Sequence, residues 1–530
     1  MLASSLKTHP DPKERGWPRG IAHIIGNEAC ERFSFYGMTA ILKVYLVALL
    51  SAQSNGLSES AVRSQSTAVV HFFITGVYAI PMIGAVVADR WLGKYRTILI
   101  VSLVYCVGHA VLALTEHNLP GTYWGLALIA LGAGGIKPCV SAHVGDQFGK
   151  GNWDKLEKVY QIFYFSVNLG SAVSSLLIPL IKERYGWSVA FGIPGVLMAL
   201  ATLVFWLGRK RFVHVPPNPG GRLGALDSLS STLLFASLGV WLFVSALPWW
   251  LCLLSSLVCL GTGLWLFTYR QRCKPEFFFL ATLWAMLRRS RVKRSDGEAQ
   301  PTPQDIDDCR RVLRISSVLA IITVFWAIFY QYSSSWVDQA SMMQREISIP
   351  GMNPFILLPE QTQSLNPLLV MLLIPITSRL IYPFLMRFGV ATQPLRRMRL
   401  GMLIAVLSFV SVALLQEQLD AGAPLHVSWQ LLPYGLITLA EVMISITGLE
   451  FAYAQAPQRM KSTIMGLWLL TTALGSILTG LLAALGSLAL ADFFWLFTAL
   501  MALAALLFAW RVRCYKDDGK PPQASMISVK

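Results

Sequence analysis

The chain has 530 residues, of which 55% are hydrophobic and only 14% are charged, and its mean hydropathy is +0.54. Because soluble proteins carry about 25% charged residues, this composition argues against a soluble globular protein. The net charge of +16 would suit a protein that binds nucleic acid, but the positive residues lie in loops between apolar segments, which argues against that class. The eight cysteines are scattered and form no CxxC pair or Cys/His cluster, so we expect neither a metal site nor a disulfide framework.

Apolar segments that are long enough to cross a bilayer recur along the chain. Six precede a basic linker rich in glycine and proline, two follow it, and six more come after a polar stretch that ends near Arg314. Residues 1–20 are polar and basic without an apolar core, so no cleavable signal peptide is expected. We predict fourteen transmembrane helices, at about residues 21–50, 64–88, 95–114, 122–142, 158–181, 188–207, 227–246, 249–269, 315–337, 363–386, 400–416, 429–455, 463–486 and 490–511.

This pattern predicts three parts. An N-terminal six-helix bundle takes residues 1–212, and a C-terminal six-helix bundle with its tail takes residues 309–530. Residues 213–308 form a linker with an inserted helix pair and a basic segment. Within that linker, residues 277–294 mix aromatic residues with arginines, which indicates either an amphipathic helix on the membrane surface or an entry into the next span.

The distribution of basic residues predicts the orientation in the membrane. One set of loops is rich in lysine and arginine, whereas the opposite loops hold scattered cations such as Arg63 and Lys182. With an even number of helices, both termini lie on the basic side, so we predict a multi-pass protein of the cell membrane with cytoplasmic termini. The basic set comprises Lys7, Lys13, Arg15, Arg19, Arg90, Lys94, Arg96, Lys150, Lys155, Lys158, Arg209, Lys210, Arg211, Arg270, Arg272, Lys274, residues 288–314, Arg387, Arg396, Arg397, Arg399, Arg459, Lys461 and residues 511–530.

The first span contains three charged residues within five positions, Glu28, Glu31 and Arg32. At 100° per residue Glu28, Arg32 and Tyr36 share one helix face, and Glu31 lies on its flank. A single charge at the centre of a bilayer costs about 2.5–3.5 kcal/mol, so these groups must pair or face water. A structural ion pair near a helix end is one interpretation. We favour a proton or substrate site that lines an aqueous cavity.

The loop after the second span reads Gly84-Ala-Val-Val-Ala-Asp89-Arg90-Trp-Leu-Gly93-Lys94. Its glycines allow close packing and a tight turn, and Asp89 can sit against cations or helix N-termini. The pattern is similar to the cytoplasmic loop motif of the major facilitator superfamily. We interpret the segment as a gating loop in which Asp89 is a conformational latch rather than a ligand-binding residue.

Further motifs, in the correct order, resemble one family of that superfamily. The stretch Glu28-Ala-Cys-Glu31-Arg32-Phe-Ser-Phe-Tyr36-Gly37 is similar to the ExxERFxYYG signature of the proton-dependent oligopeptide transporter family. Residues 84–97 and 163–171 resemble its two long signatures, and the patterns at 132–138, 363–367 and 441–462 match as well. The resemblance runs from about residue 20 to 512. It implies an all-α major facilitator fold of two six-helix bundles, with the inserted helix pair as an addition.

A site for a small peptide needs a cation for the carboxylate, an anion for the amine, neutral hydrogen-bonding groups and tolerant apolar walls. Lys137 in the fourth span offers the cation and Glu441 in the tenth offers the anion, so a peptide between them would bridge the two bundles. Neutral groups and apolar faces are offered by Tyr36, Tyr78, Tyr164, Asn168, Gln331, Trp336 and Trp468. Tyr164 and Asn168 could instead cross-bond helices, and Trp468 could be a core residue.

For proton coupling the candidates are Glu28, Glu31, Arg32, Glu441 and His71. Arg32 can make a bidentate pair with only one carboxylate at a time, which leaves the other able to take a proton. His71 lies on the same helix face as Tyr78 and is either a proton carrier or a satisfied hydrogen-bonding group.

The chain departs from the family pattern at two places. Thr39 stands where many members of the family have an arginine, and Lys43, one turn later, is a candidate replacement as anchor for the peptide carboxylate. Tyr330 precedes Gln331 where some members have an acidic residue, which removes one candidate gating or proton-binding group.

The resemblance implies a symporter that imports di- and tripeptides by alternating access, with protons as coupling ion, no other cofactor, no enzymatic activity and function as a monomer in the bilayer. A carrier of nitrate, a drug or a modified amine with the same fold is the alternative, followed by a membrane sensor and an intramembrane hydrolase. The spans show no Ser/His/Asp or metal-ligand spacing that would favour the hydrolase. The matched motifs all lie outside the inserted helix pair, so we expect the pair to be peripheral to transport.

Overall fold

The computed structural model describes residues 7–53, 56, 58–243, 248–276, 279–289, 301–348, 350–351, 353–387, 393–457, 460–486 and 488–515. Within these residues, twelve helical segments are long and apolar enough to cross a membrane. One of them, Trp153–Lys210, contains two of the predicted spans, which meet at a kink at Gly186 without an intervening loop. Gly186 has a φ of +83°, which favours glycine, so the chain turns there without a loop. The predicted basic positions 290–300, 459 and 516–530 lie outside the described residues.

The first half of the chain supplies six spans. The second span consists of two helices in sequence, because Pro81 lacks a backbone N–H and occupies the start of the later one. A π-helical turn, Ala88–Leu92, extends that span and ends at Gly93, which has a φ of +82°. The helices are α1 Ile21–Gln53, α2 Glu59–Ala79, α3 Pro81–Val87, α4 Lys94–Leu114, α5 Leu119–Asp146 and α6 Leu156–Leu207.

The inserted region contains an antiparallel helix pair, α7 (Gly221–Gly239) and α8 (Trp249–Cys273). The first of these begins at Gly221 rather than at the predicted residue 227, and it carries Arg222 and Asp227. It is not among the twelve apolar segments of the described residues, and its predicted end at residue 246 lies outside the described residues. A short helix, α9 (Phe279–Arg289), follows within the predicted segment 277–294 and packs on the next span.

The second half supplies the other six spans. Its first span begins with a capping box at Thr302, and it is broken by a 3₁₀ turn at Tyr330–Ser333 inside the predicted range 315–337. The helices are α10 Pro303–Phe329, α11 Ser335–Ser341, α12 Leu365–Ile376, α13 Tyr382–Arg387, α14 Pro394–Asp420, α15 Leu431–Glu441, α16 Thr447–Gln455, α17 Lys461–Ala484 and α18 Leu490–Cys514. Two short antiparallel strands, β1 (Glu346–Ile347) and β2 (Phe355–Ile356), lie in the loop after α11.

The spans alternate in direction, so the connections fall on two faces of the molecule. The loops around Arg90, Lys155, Arg209 and Lys274 lie on the face where α1 begins, and we call it the basic face. The loop with the two strands and the connection between α4 and α5 lie on the opposite face. Each bundle contributes six spans. Helix α7 packs on the N-terminal bundle at α3, and α8 packs on α7.

Small residues allow α1 to approach α6 closely inside the N-terminal bundle. A methyl group at Gly170 would lie 2.9 Å from the Ala29 carbonyl oxygen, and one at Gly37 would lie 2.7 Å from Ile178. Such close approach of helix backbones is how membrane bundles gain packing energy without a hydrophobic driving force. The charged segment of α1 is thereby held in the bundle interior and away from lipid.

Candidate functional site

The charged segment of α1 forms a compact cluster with almost no solvent exposure. Arg32 Nε lies 3.1 Å from Glu28 Oε1, and Arg32 Nη2 contacts Glu31 Oε2. Both carboxylates therefore share the guanidinium, each through one nitrogen. This corrects the expectation that one carboxylate is held by two nitrogens while the other is unpaired. The arrangement is possible because Glu28 precedes Arg32 by one helical turn and Glu31 is adjacent to it.

Oxygen atoms of this cluster remain without a hydrogen-bond partner. Glu28 Oε2 and Glu31 Oε1 are buried, and the residues that the structure describes offer neither a hydrogen bond. A buried carboxylate oxygen without a donor is costly, so such groups usually bind water, a proton or a ligand. The cluster therefore offers buried carboxylate oxygens that can accept a proton.

Lys137 brings a second positive charge to the cluster from α5. Its Nζ lies 3.7 Å from the ring centroid of Tyr78 and 4.8 Å from that of Phe35, which are cation–π contacts. It has no hydrogen-bond partner among the described residues, and its electrostatic interactions include Glu31 and Glu28. The ammonium group thus keeps its three donors available for an anionic ligand.

The second bundle presents a carboxylate toward the N-terminal bundle. Glu441 ends α15 and is followed by a π-helical turn, a feature often found at functional sites. Its Oε2 accepts a hydrogen bond from Asn366 Nδ2 at 2.9 Å. Tyr36 of α1 and Tyr164 of α6 are both within electrostatic range of Glu441, which places it opposite the N-terminal bundle.

Tyrosines connect the two sides of the cavity. Tyr330 donates a hydrogen bond of 2.5 Å to the hydroxyl of Tyr78, the residue whose ring carries Lys137. Tyr330 and Tyr36 also line a small enclosed cavity, together with Phe35, Thr39, Ile74, Ser171, Ser175, Tyr332, Ser333 and Gln363. Tyr330 is thus a neutral link between the bundles.

Three sequence-predicted binding residues do not face this cavity. Gln331 is fully buried, donates to the Ala327 carbonyl at 3.3 Å and accepts from Ser335 at 3.1 Å. Trp336 is fully buried within the second bundle against Tyr434, and Trp468 packs on Gly448. Trp468 is therefore a core residue, which is one of its two sequence interpretations. Gln331 and Trp336 were expected to contact the ligand directly, and in the described conformation neither side chain is placed to do so.

Two tyrosines of the spans near the basic face have exposed side chains. Tyr164 is 43% exposed although it lies within a membrane-spanning helix. Asn168 donates to the Tyr164 carbonyl at 2.9 Å, so it bonds within its own helix rather than across to another. Tyr453 near the end of α16 is also largely exposed.

The opposite side of the cavity is closed by polar contacts between the bundles. His71 Nε2 and Ser334 Oγ are hydrogen-bonded at 2.9 Å, and both residues are fully buried. Gln363 donates to the Ala40 carbonyl at 2.9 Å, and Lys182 pairs with Glu360 at 2.8 Å. His71 is thus a hydrogen-bonded contact of the closed side, as one of its two sequence interpretations holds.

Lys43 belongs to this closed side and not to the cavity. Its Nζ lies 2.9 Å from Asp338 Oδ2 of α11 and donates to Thr67 at 2.8 Å and to the Arg63 carbonyl at 2.5 Å. Arg63 Nη1 contacts the other oxygen of Asp338 at 3.1 Å. The hypothesis that Lys43 takes the role of the arginine missing at position 39 is therefore wrong in this conformation, because Asp338 already neutralises the charge of Lys43.

The gating loop uses its cations rather than Asp89 for its ion pairs. Lys94 pairs with Asp146 at the end of α5 at 2.8 Å, and Arg90 pairs with two carboxylates of the inserted region. Gly84 lies directly against Gly135, where an added methyl group would approach the Gly135 Cα to 2.9 Å. Asp89 holds the loop through its backbone, since its carbonyl accepts from the Asn218 N–H at 2.9 Å.

Sequence reasoning missed Asp338, although an acidic residue in an apolar span is a recognisable signal. It also gave Asn366 no role, although that amide contacts Glu441. Neither partner could be assigned from spacing, since Asn366 and Glu441 are far apart in sequence. Among the described residues, no group of three or more His, Cys, Asp or Glu side chains is arranged to hold a metal ion.

Two six-span bundles that meet beside a buried charged cluster are the architecture of a membrane transporter of the major facilitator type. The sequence profile described as PTR2, POT family, matches residues 95–496. The chain belongs to the POT family.

The relatives support this assignment in sequence and in fold. Human solute carrier family 15 member 1 is 31% identical over 434 residues, which cover 77% of this chain and 53% of the relative. Human solute carrier family 15 member 2 is 32% identical over 468 residues, which cover 84% of this chain and 56% of the relative. The chain therefore spans about half the length of these relatives.

Solved structures resemble almost the whole chain. The POT family transporter PepTSo, known from an in meso crystal structure, is 38% identical with a TM-score of 0.75 over 94% of this chain and 98% of that one. An auto inhibited POT family peptide transporter is 37% identical with a TM-score of 0.76 over 95% and 99%. These matches confirm the predicted major facilitator fold and the predicted family.

The ion pair on the closed side yields a prediction about stability. Asp338→Asn should strongly destabilise the purified protein, because Lys43 stays charged and buried but loses its carboxylate. Breaking a buried ion pair from one side costs about 3–5 kcal/mol. The melting temperature in detergent measures the effect. The matched control is Lys43→Met with Asp338→Leu, which removes both buried charges and should recover most of the loss. Equal melting temperatures for Asp338→Asn and the parent protein would contradict this account.

Proposed function

We propose that the chain is a proton-coupled symporter that imports di- and tripeptides by alternating access. The observation that carries the proposal is a pair of opposite charges on the two bundles, Lys137 on the first and Glu441 on the second. Tyr78 contacts Lys137 through its ring and lies within electrostatic range of Glu441. A peptide has complementary charges at its two ends, and its binding would draw the bundles together. Membership of the POT family and the peptide transporter among the similar structures support this substrate class.

The same proposal covers the orientation in the membrane, the functional units of the chain and its partners. The basic face lies in the cytoplasm, as the positive-inside rule indicates, and the protein resides in the cell membrane. The functional units are residues 1–212, 213–308 and 309–530, and one copy of the chain forms a complete pathway. Its partners are peptide, protons and the bilayer, and protons are its only coupling ion.

Each group has a role in this proposal. Lys137 binds the peptide carboxylate, and Glu441, held by Asn366, binds the ammonium group. Tyr36, Tyr78, Tyr164 and Asn168 offer neutral hydrogen bonds near the cavity. Gln331 and Trp468 act from behind, since they pack the helices that carry the ligand-binding groups. Gly84, Asp89, Arg90, Gly93 and Lys94 hold the gating loop.

Proton coupling is assigned to Glu28, Glu31 and Arg32. Arg32 is shared between the two carboxylates, so a proton on either one frees the guanidinium to place two nitrogens on the other. That change alters the field at Lys137 and, across the Tyr78–Tyr330 hydrogen bond, the contact between the bundles. A ligand couples to a conformational change only through such differences between the two states.

The direct test is uptake of a labelled dipeptide into liposomes that contain the purified protein, with an acidic exterior. We expect accumulation above the external concentration, lost when a protonophore collapses the gradient. Accumulation that persists without a proton gradient would remove the proton from the mechanism. Failure to bind or carry any dipeptide would remove the proposed substrate class.

Replacing either carboxylate of the cluster separates coupling from transport. Glu28→Gln or Glu31→Gln mimics a permanently protonated group, so each should lose gradient-driven accumulation but retain exchange of labelled for unlabelled peptide. Arg32→Lys should lose both, because an ammonium group cannot contact two carboxylates as a guanidinium does. Paired uptake and counterflow assays on each variant provide the measurement. Full accumulation by both glutamine variants would move the proton site to Glu441 or His71.

Position 39 tests recognition of the peptide carboxylate. Thr39 lines the small cavity beside Tyr36, and Lys43 is occupied by Asp338. Thr39→Arg should therefore add an available cation and tighten binding of free-carboxyl dipeptides relative to their amides, about tenfold for 1.4 kcal/mol. Thr39→Gln is the neutral control of similar length. An unchanged ratio of the two dissociation constants in Thr39→Arg would show that Lys137 alone recognises the carboxylate.

A further inference from the structure

The segment before α1 encloses a cavity of about 170 Å³ at the basic face, which we call the basic pocket. Its walls come from three parts of the chain: that N-terminal segment, the end of α5 and the turn after α6. Four cations and two carboxylates line it, so the lining carries an excess of two positive charges. The charged lining residues are Lys7, Asp11, Glu14, Arg19, Lys210 and Arg211.

Hydrogen bonds hold the walls of the basic pocket together. The Lys7 carbonyl accepts from the His214 N–H at 2.7 Å, which joins the N-terminal segment to the chain after α6. Gln147 at the end of α5 is almost fully buried. Its side chain accepts from the Val213 N–H at 2.9 Å and donates to the Val213 carbonyl at 3.3 Å. The backbone therefore fixes the position of all three walls relative to one another.

The cations of the basic pocket lack the ion pairs that other cations of this face make. Lys94 pairs with Asp146, and Arg90 and Arg270 each contact two carboxylates. Among the residues that the structure describes, none of the four cations of the basic pocket forms an ion pair. Like charges around one cavity repel one another, and a bound anion offsets that repulsion. The pocket is thus suited to a negatively charged ligand.

The types of cation indicate the class of anion. Two of the four are arginines, whose forked guanidinium groups match the oxygen atoms of a phosphate group, and the two lysines add single point charges. Phosphate groups are anionic at pH 7 and offer several strong acceptor oxygens. The excess of positive charge and the available donors therefore favour a ligand that carries phosphate.

The basic pocket lies beside a lipid-facing helix end. Leu203 and Leu207 on the last turns of α6 are more than half exposed, as expected of a side that faces lipid, and Lys210 follows three residues later. Trp206 is 40% exposed, and Arg209 Cζ lies 3.8 Å from the centroid of its ring. Exposed tryptophans next to basic residues are typical of the membrane interface. The pocket is thus within reach of lipid headgroups.

We propose that the basic pocket is a binding site for a phosphate-bearing anion, and that its source is the headgroup of an anionic phospholipid in the leaflet at the basic face. Basic pockets at the membrane surface of helical proteins are suited to such headgroups. The bound phosphate bridges the N-terminal segment to the ends of α5 and α6 and so stabilises the N-terminal bundle. The inference goes beyond the proposed transport function and is independent of the transported substrate.

Lipid binding to the purified 530-residue chain tests the site. Native mass spectrometry during titration with phosphatidylglycerol, with phosphatidylcholine as the zwitterionic comparison, gives the dissociation constant of the tightest lipid. Lys210→Gln with Arg211→Gln removes two cations of the pocket. The matched control is Lys150→Gln with Lys158→Gln, two exposed lysines of the same face that do not line it. We expect phosphatidylglycerol to bind the pocket variant about tenfold more weakly than the control.

The opposite wall provides a second variant in case the first one misfolds. Lys7→Gln with Arg19→Gln removes the other two cations of the pocket and should weaken phosphatidylglycerol binding to the same extent. Equal affinity of the parent, both pocket variants and the control for phosphatidylglycerol, with no effect of inorganic phosphate or pyrophosphate on any of them, would overturn the inference.

Melting temperatures distinguish the two sources of the phosphate group. Phosphatidylglycerol should raise the melting temperature of the parent and control proteins above that in phosphatidylcholine, and both pocket variants should lose this rise. Inorganic phosphate and pyrophosphate, added without anionic lipid, should have no effect. A rise with either of these soluble anions that is lost in the pocket variants would support the phosphate site but overturn the lipid as its source.

Discussion

A guanidinium shared by two carboxylates in the middle of a membrane protein is the interaction on which the rest of the site depends. Glu28, Glu31 and Arg32 together carry one excess negative charge, and Lys137 on the neighbouring α5 balances it. A charge in a bilayer interior must pair or reach water, so this cluster fixes which face of α1 points inward. The glycines that let α6 approach α1, such as Gly170 opposite Ala29, follow from the need to seal that face from lipid.

The balance of the cluster also explains its link to the other bundle. Lys137 rests on the ring of Tyr78, and the Tyr78 hydroxyl bonds to Tyr330 of the second bundle. A change in the charge of Glu28 or Glu31 alters the field at Lys137, which is held by weak ring contacts and not by a carboxylate. In the proposed coupling, Lys137 is the member of the cluster that responds, and the Tyr78–Tyr330 hydrogen bond carries its response to the second bundle. Small shifts can decide between conformations because packed interfaces have discrete arrangements.

Hydropathy and motif order predicted the spans, the fold and the family, because these depend on local composition and on short spacings. The helix-face argument likewise placed Glu28, Arg32 and Tyr36 together. The predictions that failed concern residues whose environment depends on partners that are distant in sequence. Lys43 was assigned to the peptide carboxylate, yet Asp338, from the other half of the chain, neutralises it. Gln331 and Trp336 follow a break in the seventh span, where a 3₁₀ turn changes the helix phase, so a regular period could not orient them. The charged residues of the inserted helix pair are visible in the sequence, but their spacing does not predict that they form ion pairs with Arg90.

Buried ion pairs between the bundles hold the closed face of the molecule together. On the closed face, Lys43, Arg63 and Asp338 bring opposite charges of the two bundles together in a buried place, and separating them requires each to regain water or a new partner. That barrier is a matter of free energy, so in the proposed transport cycle peptide and proton binding can offset it. At the basic face, the ion pairs of the gating loop join Arg90 to the inserted region and Lys94 to α5. Opening the closed face therefore breaks ion pairs between the two bundles, whereas the ion pairs of the gating loop do not join the two bundles.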